Sequence, residues 1–388
     1  MSKIYRSILA VVTFVVVLSM LVACAPAATP AATKAPAAAP AATEAPAAAP
    51  ATEAPMAKMV EKYPEIAYGP VAGKTADDYR FGFSFGGSAT YDDVIEGPDG
   101  MANLAAKELG IPEVTVQTPQ NWVQNEQNPK LDGMIASGIK GIFMMTSEPV
   151  AGNAQITKMV DAGIPVVTIG GAPELPSKST VTLATEATQA AYDGTVALIK
   201  AMGEKGNLVA LVPMINDTVT VKRVAGIEKA VAEYPDVKLI QTLADMESTE
   251  NSMTALGDLL AARGSEIDGI MAAGYTSAVT TATLLDNPEY AHIKAVGFDT
   301  DPKVIEAIKA GRFVGSMAQN PWGQGYISVY TLKMLTDGWT YKAGQPEIVD
   351  SGTFLVTKDN ADNYDQMIKD ETMKIMATWT DRFDPPVK

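Results

Sequence analysis

The 388-residue chain contains one cysteine and one histidine. A single cysteine cannot form an internal disulfide. That scarcity argues strongly against thiolate or imidazole metal cages, Cys nucleophiles and Ser-His-Asp triads. Basic side chains are also scarce, 30 Lys and Arg against 45 Asp and Glu, for a net charge of −15. That balance speaks against a nucleic-acid surface, which needs clustered Lys and Arg. No cofactor, no metal and no catalytic residue is expected. What the chain does have is length: 388 residues exceed the roughly 250 at which a single core stops growing, so two domains are expected.

The lone cysteine has a specific context. Lys3 and Arg6 precede an apolar run from Ile8 to Val22, and Leu21-Val22-Ala23-Cys24 places a small residue before the cysteine and a branched one three before it. The run is shorter than the ~20 apolar residues of a membrane span, so it reads as a lipoprotein signal over 1–23 with lipidation on Cys24. Residues 24–58 are mostly Ala, Pro and Thr with a near-repeat, ATKAPAAAP then ATEAPAAAP. With almost no large apolar side chains and with recurrent prolines, this segment is expected to be an extended, disordered tether.

From Tyr79 onward, short apolar runs alternate with helix-period segments. Strands are expected at 81–85, 114–116, 142–145 and 165–169, with helices between them, and a second series runs through strands 208–212, 237–241 and 269–272. A repeated βα pattern means a parallel sheet with helices on both faces, here in two similar α/β domains.

The stretch 294–329 concentrates the polar signal. The apolar run Ala295 to Phe298 ends in Asp299, Asp301-Pro302 opens a helix stopped by Gly311, and the run Val314 to Ala318 ends in Gln319 before a helix carrying Trp322 in its first turn. Two strands thus deliver Asp299 and Gln319 to their C-terminal ends, the edge where open parallel sheets bind ligands. The unit resembles the periplasmic sugar-binding proteins of the ribose-binding type, whose pattern VGFD, helix, QxPYxMG is matched by Val296, Gly297, Phe298, Asp299 and then Gln319, Pro321, Trp322, Gly325. The resemblance implies the type I periplasmic binding protein fold: two similar doubly wound parallel-sheet domains joined by a three-segment hinge. It implies lobes 72–185 plus 320–350 and 186–319 plus 351–388, with crossings near 185–187, 319–320 and 350–352. It also implies that Asp299 and Gln319 hydrogen-bond sugar hydroxyls; without it, Asp299 reads equally as a helix N-terminal carboxylate.

Other candidates sit at the same edge. After the first strand, Tyr91 offers a ring and Asp92 a carboxylate, a combination suited to a sugar's C–H face and hydroxyls, or to an exposed acidic turn. Trp122 follows the second strand, and Asn216 is a further polar candidate. Glu186 either accepts hydroxyl hydrogens or caps the following helix. Tyr275, with Thr276, stands where the resembling proteins carry an Asn-Asp pair. This chain departs from them at Gly170-Gly171, where they have Asp-Arg, and the two glycines are expected to open volume for a bulkier or modified sugar or another small polar solute. Their helix arginine aligns best with Val221, and Arg223 falls on a less direct position.

The resemblance implies a monomeric, membrane-tethered extracytoplasmic receptor that captures a sugar-like small molecule and delivers it to the permease of an ABC importer. The alternative is a ligand receptor that reports to a membrane signalling protein without transport. An enzyme is not expected, since a cleft with abundant carboxylates and no His or Cys leaves only glycoside hydrolysis by a pair such as Asp92 and Asp299.

Overall fold

The computed structural model describes residues 63–85, 91, 94–95, 100–215 and 217–387. The signal, Cys24, the whole tether, Asp92 and Asn216 lie outside the described residues. Among the described residues, no helix is long and apolar enough to cross a membrane.

The central strands are short apolar runs buried on both faces, as parallel strands between helical layers must be, and those at the sheet edges are partly exposed. In chain order they are β1 (Phe81–Ser84), β2 (Thr115–Val116), β3 (Gly141–Met144), β4 (Val166–Gly170), β5 (Thr182–Ala184), β6 (Gly206–Leu211), β7 (Val237–Leu243), β8 (Gly269–Ala272), β9 (Lys294–Phe298), β10 (Gly315–Ala318), β11 (Thr340–Tyr341), β12 (Ile348–Asp350), β13 (Phe354–Val356) and β14 (Phe383–Asp384). The helices are α1 (Met101–Leu109), α2 (Gln124–Ala136), α3 (Pro149–Asp161), α4 (Ala187–Ala201), α5 (Thr218–Ala232), α6 (Thr249–Arg263), α7 (Tyr275–Leu284), α8 (Pro302–Lys309), α9 (Pro321–Thr336) and α10 (Tyr364–Met376).

Two six-stranded sheets result, ordered β12-β5-β4-β3-β1-β2 and β13-β10-β9-β8-β6-β7. The first is parallel throughout, and the second is parallel except where β13 runs against β10. Helix starts and stops follow local chemistry. Asp217 caps α5 by accepting from the Thr220 N–H at 2.9 Å, and Gly110 ends α1 in the left-handed region at φ 65.

Helix α9 is apolar nearly all round and is buried from Pro321 to Met334. Such a helix needs cover on every side. One side packs on β3 and β4, and α1 and α10 cover others. Lys333 is fully buried within it, ion-paired to Asp337 one turn on, and Asp337 also accepts from the Tyr79 hydroxyl at 2.7 Å. A lysine ammonium can stay inside only with such partners.

The tail departs from expectation. Residues 351–388 were expected in the second lobe, but Ile368, Met376, Trp379 and Phe383 join the core of the first. The Trp379 indole donates to Thr331 Oγ1 of α9 at 3.0 Å, and β14 pairs antiparallel with β11. Phe354, Val356 and Ala361 pack in or on the second lobe's core, and Tyr364 packs against both. After the passages at 184–187, 318–321 and 350–354, the chain therefore crosses a fourth time, between Ala361 and Ile368. The cause is the uncovered outer side of α9, which the tail's apolar residues bury together with Tyr63 and Ile66.

Candidate functional site

Between the sheets, the residues following the C-terminal ends of β1, β3, β4, β6, β8, β9 and β10 border one cavity of about 300 Å³. The strand ends converge there because all these strands are parallel, which puts their polar terminal residues on a common edge.

Asp299, immediately after β9, lies in this wall and is 5% exposed. It has φ 68, a left-handed conformation that Asp tolerates better than most residues. Two bonds hold that backbone: its N–H donates to the Met317 carbonyl at 2.9 Å, and the Ser316 hydroxyl donates to its carbonyl at 2.6 Å. The Gln319 amide donates to Asp299 Oδ1 at 2.7 Å, so the two residues form one polar edge. Burial pushes the Asp299 carboxyl above its usual range, and the nearby Arg223 guanidinium and the Gln319 bond only partly oppose that.

Arg223 is a cleft residue that the sequence alignment undervalued. It is buried in the same wall, its Nη1 donates to the Ala273 carbonyl at 3.0 Å, and its guanidinium lies 4.4 Å from the centre of the Phe298 ring. Its Nε has no acceptor among the described residues. Val221, the better-aligned position, is 54% exposed. The helix explains the difference: Thr220, Arg223, Gly226, Ile227 and Ala230 make its buried face, with the spacing of three and four that puts residues on one side. Counting that face from Asp217 picks out Arg223 in the sequence.

The first lobe supplies rings. Tyr91 is buried and stacks on Phe85 with centroids 4.8 Å apart, and Phe85 lies 5.2 Å from Trp122. All three border the cavity. Phe85 was missed as a site residue because it reads as the last apolar residue of its strand. Tyr275 reaches the cavity from the start of α7, with its hydroxyl bonded to Asp301 Oδ2 at 2.6 Å.

Two expectations are corrected. Glu186 does not line this cavity itself; it caps α4, accepting from the Gln189 N–H at 2.6 Å, and is exposed in an adjoining depression that shares Gly170, Gly171, Ala172, Thr218 and Val219 with the cleft. The glycines do not open volume. A Cβ on Gly170, at φ 72, would stand 2.8 Å from Met145 Sδ and 3.5 Å from the Tyr91 hydroxyl, and one on Gly171 would stand 3.2 Å from Met145 Cε. Met145 and Tyr91 occupy the room that larger side chains would take.

Chemically, the cleft sets aromatic faces on one lobe against a carboxylate, an amide and a guanidinium on the other. This suits a small polyhydroxylated solute, with rings for its C–H surface and charged partners for its hydroxyls. Among the described residues, no three His, Cys, Asp or Glu are placed to hold a metal.

Residues 84–339 match the periplasmic binding protein domain model. A xylitol-binding protein of Mycolicibacterium smegmatis is 22% identical over 79% of this chain and 85% of its own length. A D-apiose import binding protein of Paraburkholderia graminis is 26% identical over 68% of this chain and 83% of its own. Among solved structures, an ABC transporter solute-binding protein of Burkholderia graminis in complex with D-arabinose superposes with a TM-score of 0.67 at 23% identity, covering 75% of this chain and 99% of that one. The chain has the fold of those structures, and by the extent of the domain match it belongs to the periplasmic binding protein family.

Proposed function

We propose that this protein captures a sugar or sugar-like polyol between its two lobes and delivers it to an ABC importer, held outside the cytoplasm by a lipid on Cys24. The observation that carries the reading is the pairing across the cleft of the Phe85-Tyr91-Trp122 rings with Asp299, Gln319 and Arg223. The ligands named for the relatives, xylitol and D-apiose, have the same chemistry of short, hydroxyl-rich carbon chains. Chain passages between two lobes are hinges, so ligand contacting both walls favours closure.

A thermal-shift screen of pentoses, hexoses, polyols and nucleosides tests the ligand class. A binder at one hundred times its Kd adds ~2.7 kcal/mol to the folded state, an upward shift that is easily measured. A response to no sugar or polyol and a clear one to nucleosides overturns the assignment.

Anchoring has its own test. Cys24→Ser is expected to move the protein from the membrane to the soluble fraction without changing its melting temperature, since the tether's composition has little to bury in a core. Retention of the mutant on membranes after a high-salt wash would exclude the lipid as the anchor.

A further inference from the structure

A second cavity, of about 600 Å³, also borders Asp299 and Gln319. It shares Asp299, Gln319 and Tyr275 with the cleft, so the two cavities adjoin at the residues that carry the polar chemistry. Its walls come from three places. The first lobe contributes Met101 and Trp322, the second lobe Asp301, and the returning α10 contributes Ile368 and Lys369. Tyr364, at the start of α10, packs against the cores of both lobes. The fourth passage of the chain is therefore what closes this chamber.

The wall chemistry repeats that of the cleft. Trp322 is 8% exposed, its ring stacks on Tyr326 at 5.0 Å, and its indole Nε1 has no acceptor among the described residues. A buried indole N–H ordinarily has a partner. Asp301, Asp365 and Lys369 supply charged hydrogen-bonding groups around the apolar side chains. Aromatic and aliphatic surface with a few charged groups is again what a sugar ring needs, and the volume lies within the ~300–1,000 Å³ of small-molecule sites.

We infer that the solute has two rings: one unit sits in the cleft, and a second, glycosidically joined to it, sits in the chamber between Trp322 and Lys369, beside the Asp299-Gln319 edge. The ligand class is a disaccharide or a glycoside with a ring-sized aglycone. This rests on the reading of the cleft as a sugar site.

The test compares matched probes on the full chain by calorimetry: xylose with xylobiose, glucose with cellobiose and maltose, and the methyl with the phenyl glucosides. At least one two-ring probe is expected to bind tenfold or more tightly than its one-ring partner. Met101→Trp, which fills the chamber from the first lobe without touching the cleft, is expected to erase that advantage while leaving one-ring affinity within about twofold. Lys369→Ala, on the exposed side of α10, is expected to reduce the advantage and serves as the second variant should Met101→Trp fail to fold. One-ring probes binding as well as or better than every two-ring partner overturns the inference and leaves the sugar reading intact. An advantage that survives both variants also overturns it. Binding of neither class overturns the sugar reading, and the inference with it.

Discussion

Asp299→Asn is expected to weaken ligand binding roughly 30- to 150-fold while leaving the free protein as stable as before or more so. Asparagine keeps the side-chain shape and tolerates the left-handed backbone at φ 68, which alanine does not. What it loses is the anionic acceptor. Hydrogen bonds to a charged group contribute ~1.5–3 kcal/mol each, about twice a neutral bond, and the amide can offer only one acceptor oxygen where the carboxylate offers two. A loss of about 2–3 kcal/mol gives that range at tenfold per ~1.4 kcal/mol.

Free-protein stability moves the other way for an electrostatic reason. Burial raises the Asp299 pKa above the ordinary 3.8, so this group's contribution to stability is fully present below that value and is lost as pH rises through the folded pKa. The neutral asparagine does not incur that loss. Ligand hydroxyls that donate to the carboxylate favour its ionised form and lower the pKa again. Binding to the wild type therefore releases a proton in the window between the pKa of the bound state and the raised pKa of the free protein, and affinity increases with pH across it. Calorimetry in two buffers of different ionisation enthalpy measures the proton directly, and the asparagine variant should release none. An unchanged Kd in that variant would remove Asp299 from the ligand site.

The second large effect is on stability alone. Trp379→Ala is expected to cost about 3–5 kcal/mol, the usual range for deleting a fully buried tryptophan. The ring lies among the first lobe's core residues, near Phe383 at 6.0 Å, and the Arg382 guanidinium lies 5.5 Å from it. Its removal leaves a cavity over α9 that the tail cannot collapse into without giving up the β11–β14 pairing. Thr331 loses only a donor, since its own hydroxyl donates to the Ile327 carbonyl. Urea unfolding followed by circular dichroism measures the loss. Ligand affinity at temperatures where the variant is folded should stay within a few-fold, because Trp379 borders neither chamber. A loss below ~1 kcal/mol would mean that the tail lies on the first lobe without supporting it.

The sequence by itself determined the layer architecture and the polar edge. Strands buried on both faces must be short apolar runs, and helices between them must carry a 3.6-residue stripe, so βα alternation is written locally. Asp299 and Gln319 were legible because each directly follows such a run, and a residue ending a parallel strand faces the ligand-binding edge wherever the strand lies in the sheet. Arg223 was within reach of the same reasoning, since the face of α5 repeats within a few residues; alignment to the resembling proteins pointed to Val221 instead.

Tertiary structure alone decided the rest. Glu186 carries the residue type of both a cap and a ligand group; the cap is local, and which cavity the residue borders depends on the assembled lobes. The room beside Gly170 depends on Met145, which follows a different strand. The tail's return to the first lobe joins Trp379 to Thr331, and the buried charge of Lys333 is tolerated through Asp337, whose other partner Tyr79 is 258 residues away. Local pattern records which side of an element is apolar, because that follows from backbone geometry. It does not record which distant surface covers that side, since many apolar surfaces offer nearly the same burial and the choice falls to shape and to the few polar groups that must find partners.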